Sequence, residues 1–335
     1  MTDLAASDDV AGAATPAGVE VQLEQHRREL TGYCYRMLGS AFEAEDAVQE
    51  TFVRAWRGFD RFEGRSALRS WLYRIATNVC LDMGASSQRR ARPMDLETSS
   101  AANAAVGAAL PEATWIVPIP DGRVLPSGGD PADLAIARET IRLAFVAALQ
   151  HLPPRQRAVL ILREVLAWSA NEVAELLETS VASVNSALQR ARSTLASAEV
   201  TATDTLAPMD KDQLALLARY VDAFERYDLD SLTSLLHEDA TLSMPPLSLW
   251  LRGHADIKAW MLGTGCGCRG SRLTPTVANG APAFGQYRPS SSGSGYDPWA
   301  LIVLEISAGR IVGVNSFLET DRLFPLFGLA PRLDA

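Results

Sequence analysis

Between residues 20 and 92, and again between 133 and 198, apolar side chains recur at three- and four-residue steps, the period of helices that bury one face. Ser40, followed three residues later by Glu43, has capping-box spacing and predicts a helix burying Ala44, Ala47, Val48 and Phe52. Its opposite face carries Asp46, Gln49 and Glu50. The pattern fits either a solvated face or an acidic patch aimed at a partner. A second helix is expected from Ser66 to about Gly84, with Leu68, Trp71, Leu72, Ile75 and Val79 inward and Ser70, Arg74, Thr77, Asn78 and Asp82 on the other stripe. The intervening Phe59-Asp60-Arg61-Phe62-Glu63-Gly64-Arg65 mixes aromatics with arginines. Such a loop is either a turn with its rings packed inward or a surface that stacks on unpaired bases and attracts phosphates. Arg89, Arg90 and Arg92 then fall where cations suit a helix C-terminus or a neighbouring phosphate.

From Pro93 to Asp130 the chain is rich in Ala, Pro and Gly, with few large apolar residues outside Trp115 to Val117, and it reads as a flexible linker over 93–134. Helical periodicity then resumes. Pro153-Pro154 separates two helices, the second running from Arg155 to Val165; Ser169 and Glu172 repeat the capping-box spacing before Val173, Leu176 and Leu177. After a turn at Glu178-Thr179-Ser180, a longer helix places Val181, Val184, Leu188, Ala191 and Leu195 inward and small or polar residues outward. A short helix, tight turn and longer helix make a helix-turn-helix, whose small early residues admit the backbone to a major groove. A helical hairpin in a protein core has similar spacing.

Beyond Thr201 the texture is mixed. Two amphipathic helices are expected, one burying Leu214, Leu217, Ala218, Val221 and Phe224, the other Leu232, Leu235 and Leu236. Strand-like runs follow at Ala300 to Ile306, Ile311 to Val314 and Leu323 to Gly328. The fold class is therefore multidomain: two all-α modules over 20–92 and 135–199, and an α+β module over 209–332.

The formal charge of −9 argues against a chain that grips bare DNA unaided, because phosphate neutralisation dominates such affinity. The distribution qualifies this: residues 41–60 hold five acids and two arginines, whereas 61–92 hold seven arginines against Glu63 and Asp82. Four scattered cysteines do not make a disulfide framework, and neither a membrane span nor a secretory signal is evident, so a cytoplasmic location is expected.

Three segments taken together resemble the bacterial RNA polymerase sigma factors of the extracytoplasmic-function type: Ala44-Glu45-Asp46-Ala47-Val48-Gln49-Glu50-Thr51-Phe52-Val53-Arg54-Ala55-Trp56, Leu68-Arg69-Ser70-Trp71-Leu72-Tyr73-Arg74-Ile75-Ala76-Thr77-Asn78, and Leu152-Pro153-Pro154-Arg155-Gln156-Arg157. The resemblance implies that Asp46, Gln49 and Glu50 meet the clamp helices of the polymerase β′ subunit, with a further contact to the β flap. It implies that Phe62, Arg65, Arg74, Asn78 and Asp82 melt and read the minus-10 element. Ser180, Ser183, Asn185, Ser186, Gln189 and Arg190 would read the minus-35 element. One departure from the family is Glu178, at a turn where many relatives carry Gly or Asn. The net acidity then ceases to be a puzzle, since promoter affinity is largely borrowed from the polymerase.

The third module resembles the SnoaL-like branch of the cone-shaped α+β fold (NTF2-like) shared with ketosteroid isomerases and polyketide cyclases. Where the isomerases place a general-base aspartate, this chain has Ser243-Met244-Pro245-Pro246, so no enzyme activity is expected, with His237 and Asp239 as the remaining acid–base candidates. A cone lined by Trp250, Trp260, Phe284 and Trp299 is either a site for a small apolar ligand or a filled core. Cys266-Gly267-Cys268 lacks the spacing of a zinc knuckle, and no cofactor or metal is expected. The reading is a promoter-specificity subunit regulated in cis by its C-terminal domain. Its rivals are a polymerase-independent helix-turn-helix regulator and a fused polyketide-cyclase-like enzyme.

Overall fold

The computed structural model describes residues 16–62, 67–86, 89–197, 211–291 and 293–334. Among the described residues the first module is four α-helices: α1 (Pro16–Glu24), α2 (Arg27–Leu38), α3 (Ala41–Gly58) and α4 (Leu68–Ser86). Helix α2 is the axis, buried continuously from Leu30 to Leu38. It ends at Gly39, whose φ of 73° is left-handed and whose N–H bonds the Tyr35 carbonyl at 2.8 Å. A Cβ at this residue would stand 3.0 Å from Ile116 Cδ1, so the crowding as well as the backbone favours glycine.

The stretch expected as a flexible linker is laid down along the molecule instead. It contains α5 (Pro93–Leu96) and α6 (Asp121–Val124). Trp115, Ile116, Val117 and Ile119 are all buried, and Val117 donates its N–H to the Gly39 carbonyl at 3.0 Å. The low overall apolar content concealed one short apolar run, and that run suffices to anchor the segment.

The second helical module comprises α7 (Pro131–Glu139), α8 (Leu143–Gln150), α9 (Pro154–Leu160), α10 (Ala170–Leu176) and α11 (Val181–Ser197); a single π-turn at Ile161–Val165 follows α9. The cone is built from α12 (Lys211–Glu225), α13 (Leu229–Ser234), β1 (Leu236–Ser243), β2 (Trp250–Arg252), α14 (His254–Leu262), β3 (Arg272–Ala278), β4 (Ala281–Pro289), β5 (Tyr296–Ser307), β6 (Arg310–Phe317) and α15 (Thr320–Leu326). Its six strands run β2-β1-β6-β5-β4-β3, with β1 and β6 parallel and the other pairs antiparallel.

Alternation along β4 and β5 explains how the modules join. Phe284, Ala300, Ile302 and Leu304 face the interior of the cone. Ala283, Tyr287, Leu301 and Val303 face the other way, into the same apolar core as the two helical modules. A sheet covered on both faces reads as a continuous apolar run, as Ala300 to Leu304 does.

Three local expectations are corrected. Leu323 to Leu326 belongs to α15, not to a strand. Helix α12 buries Leu216, Leu217, Tyr220, Ala223 and Phe224, while Leu214 is 50% exposed: the aromatic at 220 sets the face, rotated from the one expected. Thr77 is fully buried in α4, where its hydroxyl donates to the Tyr73 carbonyl at 2.6 Å and lies 2.8 Å from the Tyr33 hydroxyl. The expected helix start at Ser66 lies outside the described residues.

Candidate nucleic-acid and partner interfaces

Ser40 caps α3 by accepting the Glu43 N–H at 3.4 Å, but the Glu43 carboxylate turns to Arg90 at 2.6 Å, so only half of the expected capping box forms. Helix α3 buries Ala44, Ala47, Val48, Thr51 and Ala55, which leaves Asp46, Gln49 and Glu50 exposed together on one face. Glu50 pairs with Arg54 at 2.7 Å, and Arg54 reaches Asp82 of α4 at 3.4 Å. The same stripe continues through Val53 and Trp56, 38% and 58% exposed. The steps of four from Gln49 to Val53 and three from Val53 to Trp56 are legible in the sequence, but apolar residues there do not announce a surface position. Asp46 and Gln49 form one wall of a groove of about 1420 Å³ whose far side includes Arg123, Val124, Ile136 and Glu164. Arg123 bridges it by an ion pair to Glu45.

In the loop after α3, Phe62 is half-buried, its ring 4.9 Å from that of Trp71 and 6.1 Å from Phe59. Of the two readings left open, the rings pack on each other here. Arg65 lies outside the described residues. Asn78 and Asp82 are exposed on α4, and Arg74 is half-buried with an unpartnered Nε. Of the three arginines after α4, Arg90 and Arg92 are structural, whereas Arg89 is exposed. Arg90 is 4% exposed and donates to the Glu112 and Trp115 carbonyls, Arg92 is held by Asp95 at 3.2 Å, and Arg89 bonds His151. Nothing local in the sequence separates a phosphate-binding arginine from one that satisfies buried carbonyls.

The helix-turn-helix is α10 and α11. Ser169 and Glu172 form a complete capping box, at 2.7 and 3.2 Å, and the Ser169 hydrogen bonds hold the Glu172 carboxyl below its ordinary range. The turn brings Glu178 to a φ of 51°. A left-handed residue is what the chain geometry asks for here, and glutamate occupies it at a strain cost. Val184, Leu188 and Ala191 are buried, whereas Val181, expected inward, is 36% exposed. Ser180, Ser183, Asn185, Ser186, Gln189 and Arg190 are all exposed. Ser180 accepts the Ser183 N–H at 3.2 Å, and Arg190 donates to Ser186 at 2.9 Å.

What sequence reasoning missed is the junction of the three modules. Asn279-Gly280, the tip of the β3–β4 hairpin, has φ values of 55° and 68°, and Asn-Gly between two apolar runs is the usual signal of such a tight turn. Asn279 is 1% exposed. Its Nδ2 donates to the Tyr35 hydroxyl and to the Ile141 carbonyl, both at 2.6 Å, and its Oδ1 accepts the Ile119 N–H at 2.9 Å. One side chain thus ties α2, the inter-module segment and the start of α8 to the cone. Gly280 donates its N–H to Asp121 at 2.7 Å, and burial pushes the Asp121 carboxyl up to about 6. Two buried arginines add to the junction. Arg36 of α2 donates to the Thr140 carbonyl at 3.1 Å and hydroxyl at 2.8 Å; Arg157 of α9 donates to the Met37 carbonyl and to Gln150. Desolvation lowers both guanidiniums to about 10.

In the cone, a cavity of about 250 Å³ is lined by Trp260 and Trp299 but not by Trp250 or Phe284. Phe284 is core, and the Trp250 indole donates to the Glu97 carbonyl at 2.9 Å. His237 and Asp239 do not line it either; Asp239 pairs with Arg252 at 3.2 Å. Cys266 is exposed and Cys268 lines the cavity. Among the described residues no cluster of three His, Cys, Asp or Glu side chains could hold a metal, and no helix is long and apolar enough to cross a membrane.

Comparison with known proteins gives three family matches: Sigma-70 region 2 over residues 23–90, Sigma-70 region 4 over 142–195 and a SnoaL-like domain over 217–314. The chain is 45% identical over 319 residues to the ECF RNA polymerase sigma factor SigG of Mycobacterium tuberculosis, covering 92% of this chain and 83% of SigG. It is 31% identical over 150 residues to the ECF RNA polymerase sigma-E factor of Escherichia coli strain K12, covering 45% of this chain and 70% of that protein. The crystal structure of the M. tuberculosis extracytoplasmic function sigma factor SigJ superposes with a TM-score of 0.58 at 24% identity, covering 93% of this chain and 100% of SigJ, which establishes the shared fold. With both helical modules and the cone accounted for along one continuous match, the chain belongs to the extracytoplasmic-function RNA polymerase sigma factors, in the form that carries a SnoaL-like C-terminal domain.

Proposed function

We propose that this sigma factor mounts on core polymerase through Asp46, Gln49 and Glu50, toward the β′ clamp helices, with its second module toward the β flap, and that the cone restrains both modules until that mounting occurs. Phe62 and Arg65 with Arg74, Asn78 and Asp82 open and read the minus-10 element; the exposed face of α11 reads the minus-35 element. The exposed side chains of that face include amide and guanidinium groups able to address base edges. The cone works as a regulatory body, not a catalyst: Met244 lines the cavity near the place where the isomerases carry their base, and a small ligand with a largely apolar body is its natural occupant. The rival readings, an operator-binding regulator without polymerase and a fused enzyme, have no feature of the molecule in their favour.

The observation that carries the restraint is the Asn279 side chain bonded at once to Tyr35, Ile119 and Ile141. Reading two promoter elements requires the helical modules to take up the spacing of those elements, and a buried hydrogen-bonded tie between them opposes any other spacing. Run-off transcription with core polymerase tests the docking half. The double charge reversal Asp46→Lys with Glu50→Lys is expected to reduce initiation at least tenfold while leaving the fold intact, both positions being exposed. Undiminished initiation by that variant would remove the assignment.

A further inference from the structure

The cone cavity carries chemistry that promoter reading does not use. Its walls are mostly apolar, from Phe224, Leu242, Met244, Trp260 and Ile302 among others, with Thr264, Gln286 and Ser316 as neutral polar groups, and among the described residues no Asp or Glu lines it. One cation does. Arg288 lies over the Trp299 ring, 3.2 Å from its centroid, and donates through one terminal nitrogen to Cys268 Sγ at 3.1 Å. Its Nε is buried without a partner. The cross-strand neighbour Asp297 is engaged by Ser290 at 2.7 Å and by Arg332 at 3.7 Å. The Cys266-Gly267-Cys268 turn wraps this guanidinium: a Cβ at Gly267 would stand 3.3 Å from its NH1 nitrogen. A cation lining a largely apolar cavity, with no acid among the described lining residues to neutralise it, is matched by one anionic group on an apolar body. At about 250 Å³ the space suits one or two fused rings, which would lie against the indoles.

Part of the cavity wall comes from the segment between the two helical modules. Residues 97–110 cross the cone between two anchors: Ser100 donates its N–H to the Trp250 carbonyl at 2.8 Å, and Leu110 to that of Pro246 at 2.9 Å. Between them Val106, 46% exposed, lines the cavity. We propose that the cone is a receptor for a small planar aromatic carboxylate, held by Arg288 between Trp260 and Trp299, and that its occupancy is transmitted to the sigma modules through the strap at Val106. The receptor stands on the cavity alone; only its effect on promoter use rests on the restraint proposed above.

The test uses the full-length chain, with 1-naphthoate as probe and the neutral 1-naphthalenemethanol as control. Tryptophan fluorescence quenching is expected to show saturable binding of one naphthoate per chain, at least tenfold tighter than the alcohol. Arg288→Met is expected to abolish that preference. Val106→Trp, at an exposed position that leaves the fold intact, is expected to block binding. Amide exchange over 97–110 is expected to change at least threefold on binding. Absence of saturable binding, or equal affinity for acid and alcohol, overturns the receptor; binding with unchanged exchange over 97–110 overturns the coupling. Failure of the restraint looks different: Asn279→Ala would leave transcription unchanged while naphthoate still bound.

Discussion

Replacing Asn279 by alanine removes three side-chain hydrogen bonds in one step, at 2.6, 2.6 and 2.9 Å, and leaves the Ile119 N–H, the Ile141 carbonyl and the Tyr35 hydroxyl without that partner in a buried junction. Net contributions of about 0.5–1.5 kcal/mol per bond give a loss of about 2–4 kcal/mol. Alanine at a φ of 55° adds about 1 kcal/mol that asparagine largely avoids. The loss is local, because the apolar packing of the sheet on the helices is untouched. Native-state amide exchange reads it directly: protection at Ile119 and Gly280 is expected to fall about 30-fold or more, every 1.4 kcal/mol being a factor of ten, while amides in the interior of β5 keep theirs. Asn279→Gly, which loses the same bonds but suits the backbone, is expected to fall between. Equal protection in Asn279→Ala and the parent would refute the claim that this side chain holds the three modules together.

Further outcomes follow from the same geometry. The Asp121 carboxyl is raised to about 6 from 3.8, so its contribution is fully present below pH 3.8 and is lost as pH rises through 6. Asp121→Asn is therefore expected to gain stability over the parent by about 1–3 kcal/mol between pH 4 and 7.5, read from urea midpoints at each pH; a constant gap would contradict the assignment. Glu178→Gly relieves a left-handed glutamate and should raise stability by about 0.5–1 kcal/mol in the same assay; a loss would mean that the turn needs the side chain. Arg190→Ala is expected to weaken holoenzyme binding to promoter DNA by about 1–3 kcal/mol and to relax specificity within the minus-35 element, and unchanged affinity and specificity would remove Arg190 from the reading face.

The parts of the molecule legible in its sequence are those fixed by neighbours a few residues apart. The α3 face of Asp46, Gln49 and Glu50, the Ser169–Glu172 cap and the exposed face of α11 all follow from three- and four-residue spacing and capping chemistry, and each lies where that spacing puts it. What escaped depends on partners far along the chain. Arg90 satisfies carbonyls 22 and 25 residues away, and Arg157 reaches Met37 across 120 residues; both look like ordinary surface cations in sequence. Trp115 to Ile119 was too short a run to outweigh its Ala- and Pro-rich surroundings, although it anchors the whole inter-module segment. The Asn279-Gly280 turn carried a readable hairpin signal, but nothing local says that the tip enters a junction between two other modules.

The distance between the two helical modules, measured by energy transfer between dyes on unnatural amino acids at the exposed positions Arg57 and Ala196, tests the account most directly. It should be single-valued in the free chain, lengthen when core polymerase binds, and in Asn279→Ala lengthen at a lower polymerase concentration than in the parent. A distance unaltered by polymerase at saturating binding would contradict it.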